Sequence, residues 1–183
     1  MAEIKIENIV ASTTISDELN LNAIAISVQD AEYEPKQFPG LVLRIKEPKA
    51  ATLLFRSGKV VCTGAKSLEN VESVIDQVCK KIKAAGFEVK DKPKIQVQNI
   101  VASADLHAEL NLNAIAVGLG LDKVEYEPEQ FPGLVYRLDD PKAVTLLFGS
   151  GKLICTGARK AESASKAVDK ITEQLISLGF INR

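Results

Sequence analysis

Residues 32–42 read EYEPKQFPGLV, and residues 125–135 read EYEPEQFPGLV. One lysine-to-glutamate exchange separates two eleven-residue stretches, and the match spreads outward from them. Towards the C-terminus, SGK at 57–59 recurs at 150–152, CTGA at 62–65 recurs at 155–158, and GF at 86–87 recurs at 179–180. Towards the N-terminus, NIVAS at 8–12 recurs at 99–103 and LNLNAIA at 19–25 at 110–116, once two extra residues are allowed between Ala116 and Glu125. More than half of the aligned positions are identical. Self-similarity of this extent is the signature of a tandem duplication, here of about ninety residues. The reading divides the chain into an N-terminal repeat, 1–92, and a C-terminal repeat, 93–183. They join at the short polar segment KDKPK (90–94). So short a connection predicts halves that pack as one pseudo-two-fold body.

Within one repeat the hydrophobic pattern alternates between two periods. Ile4–Ser12 predicts a strand. Leu19–Ser27 predicts a short helix capped by Asn20 or Ser16. Leu41–Lys46, Ala50–Arg56 and Lys59–Gly64 are β-branched or aliphatic runs separated by Glu47-Pro48 and Ser57-Gly58, which predicts hairpins. Glu32–Glu34 reads as a further short strand. Leu68, Val71, Ile75, Val78, Ile82 and Ala85 follow helical spacing, with Ser67 as cap and Gly86 just past the end. Two helices per repeat cover one face of such a sheet, so the other should be polar. It is not: Leu53 and Phe55, Val61 and Thr63, and in the second copy Leu146 and Phe148, Ile154 and Thr156, all lie opposite the positions expected to pack under helices. A third layer, a second copy of the chain or a binding partner must cover that apolar face.

Composition limits the choices. The 183 residues carry 23 Lys+Arg and 24 Asp+Glu, a net charge of −1, with 46% hydrophobic residues. These values exclude a disordered chain and give no global sign of nucleic acid. No apolar run reaches membrane-spanning length, and MAEIKIENIV lacks the apolar core of a signal peptide. Cys62, Cys79 and Cys155 are odd in number and lack CxxC spacing, which speaks against a disulfide framework or zinc site and for a reducing compartment. The single histidine, His107, has Ser16 as its repeat counterpart. No nucleophile–base pair, phosphate loop or metal spacing is present, so neither an enzyme nor a cofactor is expected.

All six phenylalanines fall into repeat pairs: Phe38/Phe131 at the QFPG tips, Phe55/Phe148 at strand ends, and Phe87/Phe180 after a helix-ending glycine. The last pair reads as core. The other four, at hairpin tips and strand ends, either tuck into local core, as most aromatics do, or stand as apolar wedges at the ends of an open sheet. They are not adjacent on central strands, as aromatics that stack single-stranded RNA bases would be.

Together, NIVAS at 8–12 and 99–103, EYEPKQFPGLVLRIKEPKAATLLFRSGKVVCTGAK at 32–66 and EYEPEQFPGLVYRLDDPKAVTLLFGSGKLICTGAR at 125–159 resemble the core of the TATA-binding protein family, in its archaeal form. The high identity between repeats and the short N-terminus are similar to that form. The resemblance implies an α+β saddle of two direct repeats, with a ten-stranded curved antiparallel sheet and four helices on the convex side. It implies a non-enzymatic general transcription factor that binds the minor groove of a promoter TATA element and bends the DNA. It would nucleate assembly with transcription factor B and, indirectly, RNA polymerase.

The resemblance makes Asn8, Asn99, Thr63 and Thr156 the hydrogen-bonding groups facing base edges. Val10, Leu53, Val61, Val101, Leu146 and Ile154 would form the apolar floor. Phe38 with Phe55, and Phe131 with Phe148, would wedge the two ends of the site. Arg44, Ser57, Lys59, Arg137, Ser150 and Lys152 would contact phosphates. Glu127 and Glu129 would contact transcription factor B. No metal or cofactor is implied. Without DNA, a homodimer could hide the apolar face. A cytoplasmic, nucleoid-associated location in an archaeal cell follows.

Overall fold

The computed structural model describes residues 3–182. Among them are nine strands and four helices: β1 (Lys5–Thr14), α1 (Leu21–Ser27), β2 (Leu41–Lys46), β3 (Lys49–Leu54), β4 (Lys59–Ala65), α2 (Leu68–Ala84), β5 (Gln96–Asp105), α3 (Leu112–Leu119), β6 (Val124–Glu125), β7 (Leu134–Asp139), β8 (Lys142–Leu147), β9 (Lys152–Ala158) and α4 (Ala161–Ser177). The chain forms two compact units. Of the described residues, the first holds Asn8–Gln98; the second holds those from Asn99 onward together with residues 3–7. Each unit therefore does not coincide to the residue with one repeat.

In the first unit the strand order is β2-β3-β4-β1, all antiparallel. Alternate residues are buried: Leu41, Leu43 and Ile45 on β2, Ala50, Thr52 and Leu54 on β3, Val60 and Cys62 on β4, Ile9 and Ala11 on β1. Helix α2 lies on β4 and β2 and buries Val71, Val74, Ile75, Val78 and Ile82. Each fully buried aliphatic side chain stabilises by about 1.5–3 kcal/mol in transfer terms, so this layer supplies most of the unit's hydrophobic drive. Thr52, a fully buried polar side chain within it, donates to the Leu43 carbonyl at 2.6 Å, which removes the cost of an unpaired hydroxyl. The second unit repeats the plan in the order β5-β9-β8-β7-β6. There α4 packs on β8 and β9, and Thr145 donates to the Tyr136 carbonyl at 2.9 Å.

Local chemistry decides the helix ends. Asn20, rather than Ser16, caps α1, its side-chain oxygen accepting from the Ala23 N–H at 3.1 Å; Asn111 does the same for α3. Ser67 caps α2 through the Asn70 N–H. Helix α4 starts at Lys160, which offers no side-chain cap. Gly86 follows α2 with φ +99°, a conformation that costs glycine little.

Nine strands stand where the resemblance implies ten. Glu32 makes only a single bridge, to Val42, so the short strand expected at Glu32–Glu34 does not form. The reason is local. The Ala31 N–H turns back to the Val28 carbonyl, and the Glu34 carbonyl accepts from Gln37 and Phe38, which leaves one residue free to pair. In the second copy the two inserted residues give slack, and Val124 and Glu125 both join β7.

Candidate nucleic-acid interface

In each unit the face of the strands away from the long helix is built from the positions that alternate with the core. In the first unit Val42 pairs with Leu53, Leu53 with Val61, and Val61 with Ser12. Directly opposed residues of an antiparallel ladder share a face, so these four form one row across four strands. The next row runs Arg44, Ala51, Thr63. In the second unit the rows are Val135, Leu146, Ile154, Ser103 and Arg137, Val144, Thr156. Leu53, Val61, Leu146, Ile154, Val10 and Val101 are all half-exposed, whereas their strand neighbours Leu54, Val60, Leu147 and Leu153 are fully buried. The apolar face expected from the sequence is present in both units. Val42 and Val135, and Ala51 and Val144 in the next row, belong to it but escape sequence reasoning, because only the register places them beside Leu53 and Thr63 or their counterparts.

Asn8 and Thr63 are brought together by a β-bulge. Ile9 pairs with Ala65 and Ala11 with Cys62, so Thr63 and Gly64 together oppose Val10. Gly64 takes φ +100°, which an L side chain rarely adopts, and such a bulge re-aims the residue beside it. The Gly64 N–H then donates to Asn8 Oδ1 at 2.6 Å, and Asn8 Nδ2 donates to Thr63 Oγ1 at 3.2 Å. With the amide oxygen engaged by a backbone N–H, the amide orientation is set by the network. The second unit repeats this: the Gly157 N–H donates to Asn99 Oδ1 at 2.6 Å, and Asn99 Nδ2 donates to Thr156 Oγ1 at 3.1 Å. A primary amide has two N–H groups. One of them remains to donate in each unit, beside a hydroxyl that in the second unit accepts from the amide and whose own O–H makes only a long contact, 3.4 Å to Asn99 Oδ1.

The phenylalanines form two edge-to-face pairs. Phe38 and Phe55 have ring centroids 6.0 Å apart at 66°, and Phe131 and Phe148 are 5.9 Å apart at 70°. Phe38 is 40% exposed and Phe131 42%, high values for aromatic side chains. Each pair is seated on a glycine: a Cβ on Gly40 would stand 2.7 Å from the Phe38 ring and 3.0 Å from that of Phe55, with matching distances at Gly133. The turn that carries Phe55 is closed by Gly58, whose N–H bonds the Phe55 carbonyl. Phe87 and Phe180 are half-buried, and Phe180 packs against the core of the second unit.

The charged candidates lie around this face. Lys59 and Lys152 are exposed at the starts of β4 and β9, and Ser57 and Ser150 are exposed in the turns before them. Arg44 and Arg137 are exposed too, but each is held by a carboxylate. Arg44 Nη1 donates to both oxygens of Glu32 at 2.8 Å, and Arg137 Nη1 donates to Glu125 Oε1. Neither acid was singled out by sequence reasoning. Glu127 and Glu129 are exposed on the second hairpin tip, where the Glu127 carbonyl closes the turn by accepting from Gln130 and Phe131.

The remaining reactive groups are placed elsewhere. Cys62 and Cys155 are fully buried on the helix-packed side. Burial pushes the Cys62 thiol up to about 11 and also raises Cys155. Cys79 is raised by burial first and by Asp76 second. Thiols shifted this way stay protonated and are poor nucleophiles. His107 is exposed in the turn before α3, its N–H bonded to Asp105. No group of His, Cys, Asp and Glu among the described residues is arranged to hold a metal, and no helix among them is long and apolar enough to cross a membrane.

Comparison with known proteins agrees with this geometry. The family described as transcription factor TFIID, or TATA-binding protein, matches residues 3–85 and again residues 94–178. The TATA-box-binding protein of Archaeoglobus fulgidus is 61% identical over 179 residues, covering 98% of each chain. TATA-box-binding protein E of Halobacterium salinarum is 58% identical over 179 residues, covering 98% of this chain and 96% of that one. The solved structure of Methanococcus jannaschii TBP superposes with a TM-score of 0.88 at 54% identity, covering 96% of this chain and 99% of that one.

Proposed function

The chain belongs to the TATA-binding protein family, and from that premise we propose that it is an archaeal general transcription initiation factor, not an enzyme, that binds promoter DNA at a TATA element through the minor groove. It bends the DNA by phenylalanine wedging and nucleates assembly with transcription factor B, and through it RNA polymerase. It acts in the cytoplasm, on the nucleoid.

The observation that carries this reading is the twofold recurrence of one half-set. Each has an apolar sheet face, an Asn–Thr donor pair within it, and a phenylalanine pair with one ring exposed and one half-buried. The minor groove presents the acceptors A N3 and T O2, to which G·C adds the guanine N2 donor. Asn8 with Thr63 and Asn99 with Thr156 supply donors to such acceptors. Val10, Leu53, Val61, Val101, Leu146 and Ile154 surround them with carbon. A guanine amino group pressed against that surface would lose water without gaining a partner, which costs about 1–3 kcal/mol. The floor thus selects A·T by what it denies to G·C.

Phe38 with Phe55 opens one base step and Phe131 with Phe148 another. Unstacking costs a few kcal/mol per step in minor-groove architectural proteins, this family among them, and the contact area gained in bent DNA offsets it. The cost is least at flexible steps such as TA. Part of the sequence preference is therefore a preference for deformable DNA. Arg44, Ser57, Lys59, Arg137, Ser150 and Lys152 hold the backbone. Glu127 and Glu129 offer an acidic tip to a basic patch on transcription factor B. A homodimer that hides the apolar face in the absence of DNA is part of the same proposal.

The test is a binding titration at fixed salt on a TATA-bearing duplex and a G·C-rich scramble. The expected result is tight, A·T-selective binding that Phe131→Ala and Phe148→Ala each weaken tenfold or more. Equal, weak binding to both duplexes, indifferent to the substitutions, would overturn the reading.

A further inference from the structure

Two arginines proposed above to hold DNA phosphates are already occupied. Arg44 Nη1 donates to both carboxylate oxygens of Glu32 at 2.8 Å, and Arg137 Nη1 donates to Glu125. The pairs recur at equivalent positions of the two repeats. In each, the acid stands at the outer edge of the sheet, opposite Val42 or Val135. The arginine lies two residues further along β2 or β7, on the same face. Both partners of the first pair are largely exposed, at 62% and 63%, and those of the second at 59% and 66%. Ion pairs this exposed contribute little to folding. Their place at the end of the row that carries Thr63 or Thr156 makes the interface, rather than the core, the site of their effect.

We infer that Glu32 and Glu125 are internal counterions: in the free chain each carboxylate neutralises the arginine that a DNA phosphate must take over. This rests on the reading of the open face as the DNA site. Binding then exchanges one anion for another. The phosphate releases its condensed cation, but the carboxylate, displaced from the guanidinium face yet still held beside the DNA backbone by the arginine, draws a cation back; without the arginine it turns away into solvent and draws none. The two changes nearly cancel, so Arg44 and Arg137 add little to the salt dependence of binding. A loosely bound, undistorted duplex gains little from these arginines. Only a backbone brought close enough to displace the carboxylate is rewarded, which favours DNA already seated on the apolar face.

The experiment compares the full chain with Glu32→Gln, Glu125→Gln and the double variant on TATA and scrambled duplexes over a range of potassium chloride concentrations. Thermal midpoints are recorded to confirm folding. Each substitution is expected to steepen the slope of log affinity against log salt by about one, and the double variant by about two. At low salt the double variant binds the scrambled duplex about tenfold more tightly, with a smaller gain on TATA. In an Arg44→Ala, Arg137→Ala background the same glutamine substitutions should leave the slope unchanged. Unchanged slopes with arginine present, weaker binding, or steepening that persists without arginine would each overturn the inference. A chain that still selects A·T and still loses affinity on Phe148→Ala would then retain its proposed function. A chain that never selects A·T would lose both.

Discussion

The hairpin tips Glu32–Gly40 and Glu125–Gly133 have nearly the same backbone and opposite surroundings. Each closes its turn on the carbonyl of the second glutamate, Glu34 or Glu127, and each seats a phenylalanine pair on a glycine. Yet the first tip carries Lys36 where the second carries Glu129, and the far ends of the adjoining hairpins read Lys46-Glu47 and Asp139-Asp140. Residues on the open sheet face are duplicated almost unchanged, Val42, Leu53 and Thr63 recurring as Val135, Leu146 and Thr156, while the helix layer keeps only its apolar character, Val71, Val74 and Ile82 giving way to Ala164, Ala167 and Leu175, and the rim changes its charge. A core tolerates exchanged apolar residues where pattern and total volume are kept. Rim charges are screened and cheap to alter. On the proposed DNA reading, two nearly equal half-sets carry no sense of direction along the duplex, and the rim is where the repeats differ enough to supply one.

The largest expected effect tests how closely the halves match in backbone. A Cβ on Gly58 would stand 1.7 Å from the Ser16 carbonyl oxygen, and one on Gly151 would stand 2.2 Å from that of Ala108, both at positive φ. Gly58→Ala should destabilise by about 3 kcal/mol or more and Gly151→Ala by less, measured by chemical denaturation. Equal losses would show that the second copy is as tightly closed as the first. Next come the donors. Asn8→Ala and Asn99→Ala each remove an amide held in the same geometry, and each should reduce discrimination between TATA and scrambled duplexes by about 1–3 kcal/mol. A large difference between them, in competition binding, would break the equivalence of the two half-sets.

A smaller effect concerns the long helices. Ser67 caps α2, but Lys160 offers α4 nothing. Lys160→Ser should add about 1 kcal/mol and Ser67→Ala remove about as much, both read as shifts of the thermal midpoint. The smallest effect on the protein itself falls on the rim. Glu129→Lys gives the second tip the charge of the first. It should leave affinity for TATA DNA within about twofold, while slowing association with transcription factor B in a salt-dependent way. An unchanged association rate would place the determinant of polarity elsewhere.

Much of this was legible because it is local. The strand at Leu41–Lys46, the caps Asn20 and Ser67, and the alternation of Leu53 with Leu54 all depend on neighbours within a few residues. The paired phenylalanines were legible as repeat pairs, though not as edge-to-face partners. The short strand at Glu32–Glu34 was misread because a strand needs a free partner, and the Ala31 and Glu34 backbone groups were already spent in turns. Val42 was passed over because it sits among charged and core residues on β2, and only its register with Leu53 places it on the open face. The sequence reads Glu32 only as part of a short strand and gives Glu125 no role, since nothing in a twelve-residue separation from Arg44 or Arg137 announces a contact.

The sequence by itself therefore determined the duplication, the order of most elements and the outward side chains Leu53, Val61 and Thr63 with their counterparts Leu146, Ile154 and Thr156. Each of these is a periodic or repeated property that needs no knowledge of what lies across a strand boundary. Only the tertiary structure decided that Thr63 and Gly64 bulge opposite Val10 so that Asn8 is oriented by a backbone N–H, and that two interface arginines are held by acids at the sheet edge. Such contacts join residues far apart in the chain. Their partners are chosen by strand register and by a single inserted residue in a ladder, quantities set by how the whole sheet packs and not by any local run of residues.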